Sequence, residues 1–114
     1  AVATMATLAS TVTTNEASIP VYSNRDGASL TDGQQILDQM IEQIALPVRW
    51  DLVMDSLATV GATAAVELCP AGSLRGILRR RLPQIETHLV NIPSDTSSLA
   101  VSDLRTTDLA GVSQ

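Results

Sequence analysis

Three short β-like runs recur along this chain, each followed across a turn by residues of helical periodicity. Strands alternating with helices argue for an α/β fold, a parallel sheet with covered faces. The candidate strands are Ile19-Pro20-Val21-Tyr22-Ser23, Ala64-Ala65-Val66-Glu67-Leu68 and Thr87-His88-Leu89-Val90. Three strands of this length make a narrow parallel sheet with two edges to protect. Pro20 cannot donate to a ladder, so it belongs at the strand's start or off its paired side. Asn24-Arg25-Asp26-Gly27 has the composition of a turn.

Helical periodicity fills the rest. Val2, Met5, Ala9 and Val12 fall on one face and predict a helix over residues 1–14. Thr31 and Gln34 have capping-box spacing ahead of a stripe formed by Ile36, Leu37, Met40, Ile41 and Ile44. Pro47 ends that helix, because the residue before proline is pushed out of the α region. Asp51 is the expected cap of a third helix with Leu52, Val53 and Leu57 inward, closed by Gly61. Ser73 is the expected cap of a fourth, which carries Leu74, Ile77 and Leu78 and stops at Pro83. Arg79, Arg80 and Arg81 occupy its last turn and oppose the negative end of the helix dipole. Residues 99–104 predict a weak further helix, and the last ten residues a loose tail.

Composition narrows the function. The 114 residues suffice for one domain. Seven basic residues, all Arg, stand against twelve acidic ones, a net charge of −5 that disfavours nucleic acid as a partner. No apolar run approaches the ~20 residues of a membrane span. No charged-then-apolar leader is seen, which points away from secretion. A single cysteine, Cys69, excludes an internal disulfide and fits a reducing compartment. Tyr22 and Trp50 are the only aromatic residues, so the core must be built from aliphatic side chains.

The residues that could do chemistry do not assemble into a constellation. Ala71-Gly72-Ser73-Leu74-Arg75 is not the G-x-S-x-G of a nucleophile elbow, and Ser73 reads as a cap. His88, the only histidine, has no acid at useful spacing and reads as a partly buried strand residue with a local hydrogen bond. Cys69 reads as a small residue in a tight turn, with a reactive thiol as the rival. Asp26, Asp32, Asp38 and Glu42 belong to turns and a wet helix face, without the spacing of a metal loop. The six glycines are scattered, so there is no phosphate loop. The cluster of Arg75, Arg79, Arg80 and Arg81 reads as a solvated helix end, with phosphate binding as the rival. Residue chemistry alone leads to a non-catalytic α/β domain.

Three stretches taken together resemble a known family. Ile19-Pro20-Val21-Tyr22-Ser23-Asn24-Arg25-Asp26-Gly27 is similar to its "IPVVSNxDG" strand and turn. Gln43-Ile44-Ala45-Leu46-Pro47-Val48-Arg49-Trp50 is similar to its "Q-(x)3-PV-(R/Q)-(W/F)" segment. Glu67-Leu68-Cys69-Pro70-Ala71-Gly72-Ser73-Leu74-Arg75-Gly76-Ile77 is similar to its "E-x-G-P-(A/G)-x-x-L-x-G-(I/L)" strand–turn–helix. The family is the malonyl-CoA:acyl-carrier-protein transacylases, related to polyketide acyltransferase domains. Each motif is weak alone; in order and at fitting spacing they are specific.

The resemblance implies that residues 1–93 are the C-terminal portion of the acyltransferase large subdomain, part of an α/β-hydrolase-like parallel sheet with flanking helices. Residues 94–114 would be a C-terminal helix and tail. It implies malonyl transfer from CoA to the phosphopantetheine thiol of acyl carrier protein through a seryl acyl-enzyme, with malonyl-CoA as substrate and no cofactor or metal. The elbow Ser, the base His and the carboxylate-binding Arg of the family lie upstream of the matched stretches, and His88 does not match. One catalytic feature carries over: the main-chain carbonyl of Gln43, which in the family orients the catalytic His. Its side-chain amide is expected to be an exposed helical amide, and Asn24 to be structural. Cys69 stands where the family has Gly, and would be strained if that position needs φ > 0. The opening Ala1 is what a segment cut from a longer cytoplasmic chain would show. Its apolar faces are then expected to be covered by the missing N-terminal portion or a second copy. The alternative is a non-catalytic α/β protein-binding module.

Overall fold

A computed structural model describes residues 1–99, which divide between two compact units, Ala1–Val60 and the described residues from Gly61 onward. The expected helix at residues 99–104 and the loose tail lie essentially outside the described residues.

In the first unit, α1 spans Val2–Ala9 and packs against α2, Gly33–Glu42. The first helix is shorter than predicted. The Ser10 and Thr11 hydroxyls donate to the Thr7 and Leu8 carbonyls, both at 2.7 Å, and the backbone tightens there into i−3 bonds. None of its residues is buried. The first strand candidate is also shorter. Only Val21–Tyr22 (β1) pairs, directly after Pro20, and its partner is Ser29–Leu30 (β2), antiparallel. This corrects the expectation of a third parallel strand: the 24–27 turn sends the chain straight back on itself. Gly27 makes the reversal possible at φ +72°, where a side chain would also meet the Leu52 carbonyl oxygen at 2.5 Å.

The cap of α2 is Asp32, not Thr31: its Oδ1 accepts from the Gln35 N–H at 2.8 Å, while Gln34 donates instead to Asp38. Of the predicted stripe, Ile41 is buried, Ile36 and Leu37 are half-buried, and Met40 and Ile44 are exposed. The α-helix ends at Glu42 and tightens into a 3-10 turn over Gln43–Ala45. Leu46 is then extended (φ −114°, ψ 150°), as its place before Pro47 requires. Helix α3, Trp50–Val60, buries Val53 and Met54, and Gly61 follows it at φ +74°. Asp51 lies within the first turn of α3 and is not its cap.

The second unit is a βαβ arrangement. Strands β3, Ala64–Leu68, and β4, Glu86–Val90, pair in parallel from Ala64↔Glu86 to Leu68↔Val90, joined by α4, Arg75–Arg81. Leu78, Leu82 and Ile85 are its buried apolar residues. Ser73 does not cap α4. The Glu67 carboxylate, reaching across from β3, accepts from the Leu74 N–H at 2.9 Å, the Arg75 N–H at 3.2 Å and the Ser73 hydroxyl at 3.3 Å. Past β4, Pro93–Ser98 forms a 3-10 segment, with the Asp95 carboxylate accepting from the Asn91 and Ile92 N–H groups.

Candidate functional site

The C-terminal end of α2 leads into Gln43, the position to which the resemblance assigns a catalytic role, and the 23–27 turn links it to the entry of α3. Ser23 is buried; its hydroxyl accepts from the Arg25 N–H at 3.1 Å, and its carbonyl accepts from the Gly27 N–H at 2.8 Å. Arg25 pairs with Asp26 in the turn and with Glu42 of α2 at 3.1 Å. The Asn24 carbonyl accepts from the Arg49 N–H at 2.7 Å, which anchors the entry to α3. Asn24 thus ties the turn to α3 through its main chain. These links brace the α2 end from both sides.

Gln43 sits at the meeting point. Its main-chain carbonyl accepts one long hydrogen bond, from the Leu46 N–H at 3.3 Å, and retains a second lone pair. Its side chain is not the exposed amide expected. It is half-buried, and Nε2 donates to the Leu46 carbonyl at 2.9 Å and the Pro47 carbonyl at 3.1 Å. Gln43 also lines a cleft of about 100 Å³ with Tyr22, Asn24, Ile36, Gln39 and Met40. Gln39 Oε1 is buried there without a hydrogen-bond partner.

Hydrogen bonds and ion pairs pull several carboxyls below their ordinary values. The Arg49 guanidinium grips Asp51 through two bonds, at 2.7 and 3.0 Å, and brings that carboxyl down to about 2. The Ala28 N–H, and then Arg25, lower Asp26. Glu67, in the second unit, is lowered chiefly by the Leu74 N–H.

The other candidates stay apart from any catalytic arrangement. His88 Nε2 is buried without a hydrogen bond, with Glu86 Oε1 at 3.5 Å. The expectation of no acid at useful spacing left out Glu86, two residues away on the same strand face, and the Nε2 atom lacks the local hydrogen bond expected of the ring. Cys69 is exposed and precedes Pro70 through a cis peptide; its φ is not positive, so the strain considered for it does not arise. Among the described residues, no group of three or more His, Cys, Asp or Glu could hold a metal. No helix among them is long and apolar enough to cross a membrane.

By architecture the chain is an α/β protein with helices beside a parallel strand pair. Comparison with known proteins makes this specific. The malonyl CoA-acyl carrier protein transacylase of Mycobacterium tuberculosis is 37% identical over 95 residues, 83% of this chain and 32% of the relative. The crystal structure of the Synechocystis sp. PCC 6803 malonyl-CoA:ACP transacylase superposes with a TM-score of 0.78 at 28% identity, over 86% of this chain and 33% of that one. The crystal structure of MCAT from Mycobacterium tuberculosis gives 0.75 at 35% identity, over 82% and 31%. No protein-family model matches the chain. The chain is thus related in sequence and fold to the malonyl CoA-acyl carrier protein transacylases, and spans about a third of their length.

Proposed function

We propose that this chain is the C-terminal portion of a malonyltransferase that moves malonyl from CoA to the phosphopantetheine thiol of acyl carrier protein. In this reading a Ser outside the chain attacks the malonyl thioester, and a His outside the chain takes its proton and passes it to the departing CoA thiol. The carrier-protein thiol then attacks the seryl ester and restores the Ser. No metal or prosthetic group takes part. Gln43 is the contribution of this chain: its main-chain carbonyl accepts from the His ring N–H, fixing tautomer and orientation. The free lone pair on that carbonyl and its anchoring at the α2 end support the role. The parent is read as a cytoplasmic enzyme of fatty-acid or polyketide synthesis.

The similarity to transacylases over more than four-fifths of the chain carries this reading. A covalent hybrid tests it, with this chain replacing the matching third of the Mycobacterium tuberculosis relative. The hybrid is expected to transfer malonyl from malonyl-CoA to carrier protein, and the 114-residue chain alone is expected not to. A hybrid that melts cooperatively but transfers nothing would overturn the reading, as would turnover by the chain alone.

A further inference from the structure

We infer that the Gln43 side chain is a positioning residue: its amide clamps the loop that follows α2 and thereby fixes where its own main-chain carbonyl points. The inference rests on the proposed function for its consequence in catalysis, and on geometry for the clamp itself.

A helix end leaves carbonyls without partners. Here the problem extends into the loop, because Pro47 has no N–H and Leu46, ahead of it, is held extended. An amide offers two N–H donors, and both the Leu46 and Pro47 carbonyls bond to the Gln43 Nε2, at 2.9 and 3.1 Å. The Leu46 N–H in turn meets the Gln43 carbonyl at 3.3 Å. Residue 43 is therefore tied to residue 46 through both its side chain and its main chain, closing a small ring that includes the torsion setting the carbonyl direction.

Both ends of the ring are anchored. On one side Glu42 is paired with Arg25, and the Gln43 N–H bonds back into α2. On the other, two residues beyond Pro47, the Arg49 N–H is bound to the Asn24 carbonyl at 2.7 Å. The 3.3 Å main-chain bond lies just beyond the usual N–H···O range, whereas the two side-chain bonds are of ordinary length. Proline fixes its own φ and restricts the residue before it, but neither effect reaches back to the Gln43–Ile44 peptide. The amide supplies that restraint.

Residual dipolar coupling of the Ile44 N–H, which shares a peptide plane with the Gln43 carbonyl, measures the clamp in the 114-residue chain. Gln43→Met keeps the shape and removes the donors; it is expected to shift the Ile44 coupling while those of α3 stay in place. Gln43→Lys, which keeps a donor of similar reach, is expected to leave it unchanged. Should Gln43→Met unfold the chain, Gln43→Asn, with the amide drawn back, is expected to shift the coupling in its stead. An Ile44 coupling unmoved in Gln43→Met, or in Gln43→Asn where that variant serves, overturns the inference. In the hybrid enzyme, Gln43→Met is expected to lower kcat on the order of tenfold or more with the KM for malonyl-CoA unchanged, and Gln43→Lys to restore it. An equal kcat in Gln43→Met and the unmodified hybrid, with the Ile44 coupling shifted, overturns instead the role proposed for the Gln43 carbonyl. An unmodified hybrid without activity sinks the proposed function alone, since the coupling still decides the clamp.

Discussion

Asp51 and Gly27 show how single residues shape the first unit by different physics. The Asp51 carboxyl is brought to about 2 by the two-bond grip of Arg49, against an ordinary value of 3.8. Because the folded value lies below the unfolded one, the pair's contribution to stability is fully present above about pH 4 and is lost as pH falls through about 2. Both side chains are about half exposed, so salt should weaken the effect. A side-chain NMR titration should place Asp51 well below the ordinary aspartate value of 3.8, and Arg49→Ala should return it to that range. Gly27 acts through the backbone. Gly27→Ala would put a Cβ at φ +72° against the Leu52 carbonyl, where Ser56 already binds the Gly27 oxygen at 2.6 Å. Strain of this kind costs roughly 1–3 kcal/mol. The urea midpoint should fall accordingly, while Gly76→Ala, with open space around the added atom, should leave it unchanged or raised.

At the scale of elements, hydrophobic periodicity in the sequence located helices and strands well, and their ends poorly. β3 was readable as a short, mostly apolar run and β4 as a stretch with β-branched and apolar residues, each bounded by turn residues. The two-residue β2 left no such trace, so the hairpin and its antiparallel sense were missed. Caps failed for a different reason: Thr31 and Asp32 are both good caps, and side-chain geometry, not residue type, decides between neighbours. Asp32→Ala should therefore cost about 1 kcal/mol in a denaturant titration and Thr31→Ala far less. The cap of α4 was illegible because Glu67 lies six residues before Ser73, on another element, and no local pattern announces it. Gln43 was legible as a position through the resemblance, but its clamp was not, since it depends on where the chain turns after Glu42. Glu67 also gives the second unit an acid-sensitive joint. With the carboxyl lowered from 4.5 by the Leu74 N–H, its contribution is present above that value and disappears as pH falls through the folded one. Glu67→Gln should flatten the acid limb of a stability–pH curve, because the variant no longer loses a charge there.

The described residues bury few apolar side chains. Six apolar residues form the buried set (Ile41, Val53, Met54, Leu78, Leu82 and Ile85), and no side chain among the described residues falls below 2% exposure. Large apolar side chains remain in water: Leu68 is 70% exposed, Met40 65% and Ile19 63%. The parallel sheet stops at two strands among the described residues, although parallel sheets ordinarily depend on cover over both faces. Scattered exposed apolar residues are normal on a complete domain. Here they coincide with a short sheet and with relatives about three times as long, of which the chain spans 32%. These features have a common explanation if the surface is made to be covered by the remaining two-thirds of a transacylase. The chain alone should then bind an apolar dye and self-associate as its concentration rises, and both behaviours should diminish in the covalent hybrid. A monodisperse chain that melts in one cooperative step and leaves the dye dark would instead describe a self-contained module. In that case the apolar surface would be a docking face for a separate protein, and Gln43 a structural residue with no histidine to hold.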